Sequence, residues 1–191
     1  MAAKTSRMVE LGTKLPEFAL RDAVSGGEVS SGGFVGRPVL VAFMCNHCPF
    51  VKHILESFAE FAREYGPKGL GIVAISPNDP KDYPEDAPDR MAEVARERRF
   101  TFPYLFDASQ SVAKAFQAAC TPDLFLFDRN HALAYRGQFD SSRPNNTMAV
   151  TGSDLRAAAD AVLLGREVPG KQTPSVGCSI KWRPGNEPGW A

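Results

Sequence analysis

The run Pro38-Val39-Leu40-Val41-Ala42-Phe43-Met44 constrains this chain most. It has no polar side chain and is too short for an ordinary helix. It therefore reads as a central strand buried on both faces. Directly after it, from Pro49 to Tyr65, the residues Phe50, Ile54, Leu55, Phe58, Phe61 and Ala62 recur every three or four positions. That is one face of a helix, ended by Gly66 and Pro67. A strand feeding a helix so abruptly predicts a βα unit. Leu70–Ile75 repeats the strand signal, and a third strand is expected at Tyr104–Phe106. Helices are expected near Asp89–Arg99, from Ser109 to Phe116 with Ser109 as cap, and after Ser153 as cap, stopped at Gly165. Asp123–Asp128 and Ala132–Arg136 form a hairpin about the turn Asp128-Arg129-Asn130-His131. Residues 15–37 read as small strands and turns. Alternating strands and helices argue for an α/β sheet covered on both faces.

The chain has 191 residues, enough for one core without staples, and 22 basic residues balance 22 acidic ones. No electrostatic footprint for nucleic acid or an anionic membrane is present. No stretch is long and apolar enough to span a bilayer, and the N-terminus lacks the apolar run of a secretory signal. Four cysteines are too few for a disulfide scaffold. The expected compartment is the cytoplasm, where a close cysteine pair is catalytic or metal-binding more often than structural.

That pair is Cys45-Asn46-His47-Cys48. It falls in the strand-to-helix turn, with Pro49 suited to a first helical turn. Cys45 then sits just ahead of the helix N-terminus, where amide N–H groups and the helix dipole favour thiolate, the reactive form. The dipole supplies about 0.3–1 kcal/mol, short of a strongly activated thiol. His47, flanked by Asn46, could add a positive charge that stabilises the reduced form and makes the disulfide more oxidising. Two intervening residues let the sulfurs meet, so Cys45 can attack a substrate disulfide and Cys48 can resolve it. Zinc ribbons use the same spacing, but the other ligand candidates, Cys120, Cys178, His53 and His131, include no second close pair. Two core cysteines without chemistry are the remaining reading.

Downstream stands Cys120-Thr121-Pro122-Asp123. A strand, a Cys-x-x-Cys at a helix start, βα elements, and Thr-Pro before a terminal hairpin resemble the thioredoxin superfamily over roughly residues 15–165. "FMCNHCPFVKH", "SPNDPKDYPEDAP", "CTPDLFLFD", "GCSIKW" and the leading "LGTKLPEFALRD" are similar to its redoxin subgroup, grouped with alkyl hydroperoxide reductase and thiol-specific antioxidant. The resemblance implies a thioredoxin-like α/β fold: a central mixed sheet flanked by helices, an N-terminal hairpin, an acidic Pro-rich insertion and an extended C-terminal tail. It implies one domain over residues 1–165, with residues 166–191 packed on it. It implies a cis Pro122 against the cysteine pair and Thr121 as the residue facing substrate. It also implies a thiol–disulfide oxidoreductase without cofactor or metal. Its substrate would be a disulfide-bearing protein or small molecule, and an external thiol its reductant. The alternative is a peroxiredoxin-like peroxidase with Cys45 as the peroxide-attacking thiol.

Two positions depart from the family. Pro38–Met44 carries no acid, so proton handling falls to water, His47 or another group. Ala42 stands where a peroxiredoxin has the threonine that holds peroxide, which weakens the peroxidase alternative. Cys120 and Cys178 are further candidate redox thiols, with a small core residue and a tail anchor as their plainer roles. Lys52 and His53 are expected on the exposed helix face and His131 in solvent. The acidic loop 77–90 reads as a solvated insertion or, alternatively, a lid. The tail is expected as extended chain anchored by Val176, Cys178, Ile180 and Trp182.

Overall fold

The computed structural model describes residues 3–190. In chain order the elements are β1 Ala3–Thr5, β2 Ala19–Asp22, β3 Glu28–Ser30, β4 Val39–Phe43, α1 Pro49–Tyr65, β5 Gly71–Ser76, α2 Pro88–Glu97, β6 Tyr104–Phe106, α3 Ser111–Ala115, β7 Cys120–Thr121, β8 Asp123–Phe127, β9 Leu133–Gly137, α4 Ser153–Leu163 and β10 Val176–Ser179.

β4 owes its central place to its composition. Side chains alternate across a strand. Leu40, Ala42 and Met44 enter one core layer with α1, α2 and α4. Val39, Val41 and Phe43 enter the other, with α3 and Phe116. Seven strands run in the order β3-β2-β6-β5-β4-β8-β9. The β4–β5 and β5–β6 pairs are parallel, while β4–β8, β8–β9 and β2–β6 are antiparallel. The sheet is therefore mixed and covered by helices on both faces, as expected. Among the described residues no helix is long and apolar enough to cross a membrane.

A second sheet, in the order β1-β10-β7, was not foreseen. The tail does not simply lie extended on the surface: Val176–Ser179 is hydrogen-bonded between β1 and β7. Gly177 permits this approach, because a Cβ there would stand 2.1 Å from the Thr121 carbonyl oxygen.

Local boundaries also differ. α3 begins after Gln110, and the Asp107 carboxylate rather than Ser109 accepts the Ala113 amide at 2.9 Å. Gly152, in the left-handed region, precedes α4, so Ser153 is its first residue and not its cap. α2 starts at Pro88, whose missing N–H has no partner to lose in a first turn.

Candidate active site

β4 delivers Cys45 to the end of the central strand, and α1 starts at Pro49 with Cys48 as its N-cap residue. Both sulfurs are completely buried and unbonded as free thiols. The Thr121–Pro122 peptide is cis, and Thr121 lies against both cysteines. Its Oγ1 is 3.1 Å from Cys45 Sγ, and its carbonyl accepts the Cys48 thiol at 3.1 Å. Ala42 leaves Cys45 without a hydroxyl from its own strand, and Thr121 supplies one from β7.

The acid missing from β4 arrives from the Pro-rich loop. Asp86 is completely buried, so this part of the loop is not a solvated insertion. Its Oδ1 accepts the amides of Asn46 (2.7 Å) and His47 (3.1 Å). Its Oδ2 meets His47 Nδ1 at 2.5 Å and accepts Asn78 Nδ2 at 2.8 Å. Burial works to raise the Asp86 pKa, but its donors, His47 first and Asn78 next, outweigh it and hold the group below its ordinary value. A carboxylate at Nδ1 fixes that nitrogen as the donor and leaves Nε2 as the basic one. Nε2 is buried without a hydrogen-bond partner. The His47 ring stacks on Tyr83, with centroids 4.2 Å apart. Cys45 Sγ, one His47 nitrogen and an Asp86 oxygen lie within 4.8 Å of one another.

Asn46 ties this assembly together. Its Nδ2 donates to the Glu85 carbonyl at 2.7 Å, and its Oδ1 accepts the Tyr104 hydroxyl at 3.1 Å. Asn78 links loop to tail, because its Oδ1 accepts the Lys181 amide at 2.9 Å.

The two thiols titrate as a pair. Burial pushes Cys45 well up, Cys48 and then Asp86 add to this, and the Thr121 hydroxyl opposes it. The Cys45 S–H draws Cys48 down to about 5 against the cost of burial, and Cys178 helps. When one proton leaves, the negative charge settles on Cys48, capped by Cys45 and Cys178. The helix N-terminus acts on its N-cap residue, which is Cys48.

Other expected residues fall as follows. Cys178 is buried opposite Thr121 in the β10–β7 ladder, and burial together with the nearby Cys48 pushes its thiol up. Thr121 is fully buried, and its strand, at the end of the small sheet, pairs with β10 on one edge. Pro122 is buried behind it. Cys120 occupies the neighbouring ladder position, opposite Ser179, and donates to the Pro122 carbonyl at 3.5 Å. Burial and then Asp123 push its thiol up. Lys52 is exposed, but His53 is half-buried and contacts Ser142 Oγ at 3.0 Å. His131 is also half-buried, its Nε2 2.9 Å from the Phe34 carbonyl. Neither histidine is among the residues grouped with Cys45. Cys45, His47 and Asp86 are the described residues that could share a metal ion. His47 Nδ1 and both Asp86 oxygens are already engaged by one another and by amides, so a metal there would have to break these bonds.

Residues 11–136 match the AhpC/TSA family model. A thiol-disulfide oxidoreductase ResA from Geobacillus kaustophilus is 26% identical over 122 residues, covering 64% of this chain and 66% of that protein. The chain thus matches just under two thirds of that relative's length. A solved structure of an uncharacterized conserved protein from the same organism is 51% identical, with TM-score 0.94 over 96% of this chain and 98% of the other. The thioredoxin domain of a thiol-disulfide oxidoreductase from Bacteroides vulgatus superposes with TM-score 0.56 over 67% of this chain and 88% of the other, at 18% identity. The fold is thioredoxin-like, and the chain belongs to the AhpC/TSA family.

Proposed function

We propose that this protein is a thiol–disulfide oxidoreductase that works through Cys45 and Cys48. The observation that carries the reading is the Thr121 contact to both sulfurs, with the His47–Asp86 pair close to Cys45. Cys45 attacks a substrate disulfide, and His47 Nε2 receives its proton. The departing substrate sulfur takes that proton back. Cys48 then attacks the Cys45 sulfur of the mixed disulfide, releasing the second substrate thiol and leaving a Cys45–Cys48 disulfide. An external thiol restores the pair. Cys45 is the attacking sulfur because a base and a hydroxyl flank it, whereas Thr121 and Cys178 already enclose Cys48. Since neither sulfur reaches solvent, a local movement must precede substrate entry. The substrates are disulfide-bearing proteins or small molecules, and the cysteine usage favours a reducing, cytoplasmic setting.

Insulin disulfide reduction by wild type and Cys45→Ser tests this reading. Loss of the reaction in the variant is expected, and equal rates would sink the mechanism.

One observation favours peroxidase chemistry as a second reading: the Thr121 hydroxyl on Cys45. Cys45 would pass to a sulfenic acid that Cys48 resolves. Stopped-flow oxidation of the reduced protein by hydrogen peroxide separates the two. A rate no faster than a free thiol's removes the peroxidase reading. A fast rate that Thr121→Val abolishes supports it.

A further inference from the structure

Cys178 has three independent constraints on its position. It is the ladder partner of Thr121, and side chains of directly opposed residues lie on the same face of a sheet. The Thr121 hydroxyl on that face reaches Cys45. Gly177 lets β10 close onto the Thr121–Pro122 backbone, which no other residue would allow without displacement. Cys178 is buried in the same cluster as Cys45 and Cys48, on the sheet face that carries the Thr121 side chain. Cys120, on the neighbouring ladder position, faces away and bonds Pro122 instead.

We infer that Cys178 is a third redox thiol, which exchanges with the Cys45–Cys48 disulfide to form a Cys48–Cys178 disulfide and set Cys45 free. The inference rests on the oxidoreductase reading above. The step conserves electrons. The Cys178 sulfur loses its proton and attacks Cys48 Sγ, and the Cys48–Cys178 bond forms as the Cys45–Cys48 bond breaks. Cys45 leaves with the electron pair and takes up the proton that Cys178 has lost. No external oxidant or reductant enters. In the dithiol state Cys178 stays protonated, because burial and the neighbouring Cys48 push its thiol up to about 12. Once Cys48 is tied to Cys45 its negative charge is gone, and that part of the suppression is removed. Burial, the larger cause, remains, and the exchange has a disulfide to act on only after the pair is oxidised. It returns Cys45 to the thiol form while the oxidising equivalent waits in β10, where it also fastens the tail across the site.

The test is disulfide mapping. Reduced wild type, Cys45→Ser and Cys45→Ser/Cys178→Ser are equilibrated with oxidised dithiothreitol, quenched in acid, alkylated and digested without reduction. Cys45→Ser is expected to yield a peptide joining Cys48 to Cys178, and the double variant to lose it. Wild type is expected to show that peptide together with alkylated Cys45. Should Cys45→Ser fail to fold, wild type against Cys178→Ala carries the test: the alkylated Cys45 species bearing one disulfide must vanish in the variant. Absence of any Cys48–Cys178 peptide, in wild type and Cys45→Ser alike, would overturn the inference. Failure of the underlying reading is seen separately, as unchanged insulin reduction by Cys45→Ser.

Discussion

Asp86 engages Nδ1 of His47, and in the proposed mechanism it thereby leaves Nε2 as the base that serves Cys45. Asp86→Asn keeps the shape but can donate to Nδ1, which turns Nε2 into a donor and removes the base. General-base catalysis contributes about 10²–10⁴-fold. Disulfide exchange at pH 7 is therefore expected to fall by about 10²-fold or more, and to recover as pH rises and hydroxide replaces the imidazole. A stopped-flow pH–rate profile checks this. An unchanged profile would mean that Asp86 only anchors its loop. Nothing near Cys45 in the sequence announces this acid. It stands forty residues beyond Asn46, in a proline-rich stretch that looks solvated. The cysteine pair, His47 and Thr-Pro were legible because strand, helix and turn signals bracket them locally.

At the scale of elements, β4, β5 and α1 could be read from apolar runs and a three-to-four spacing, since local pattern and global burial agree there. β1 and β10 could not. Each is at most four residues long, and each gains its hydrogen bonds from a partner far along the chain. "GCSIKW" carries no clean alternation, and its fit depends on Gly177 meeting Thr121. Gly177→Ala would place a methyl group 2.1 Å from a backbone oxygen, which no rotamer can relieve. Overpacking of this kind costs about 1–3 kcal/mol. Chemical denaturation should show a loss of that size, and β10 amides should exchange with solvent faster. A variant as stable as wild type, with β10 equally protected, would show that the strand is not held against Thr121.

Across the whole molecule, stability should carry the mark of Asp123. This residue is completely buried at the head of β8, with Oδ2 accepting the Ala119 amide at 3.1 Å and Oδ1 without a partner. Burial raises its pKa from 3.8 to about 7. Between those values the folded protein holds a proton that the unfolded chain has lost, so this contribution to stability falls as pH rises and levels off above about 7. The loss is on the order of 1.4 kcal/mol per unit of pKa difference. Asp123→Asn cannot ionise, so its stability relative to wild type should grow from pH 4 to 7. A difference that stays flat with pH, measured by urea denaturation, would show that the acid is not kept neutral.

The central claim concerns which sulfur attacks, because the Cys45 S–H draws the Cys48 thiol down while His47 and the Thr121 hydroxyl lie close to Cys45. Trapping the mixed disulfide decides it. Cys48→Ser and Cys45→Ser are each mixed with an excess of a small aromatic disulfide, and intact mass and peptide mapping locate the adduct. The account predicts a stable adduct on Cys45 in Cys48→Ser, formed much faster than any adduct on Cys48 in Cys45→Ser. Rapid adduct formation on Cys48 in Cys45→Ser, with Cys45 inert in Cys48→Ser, would contradict it.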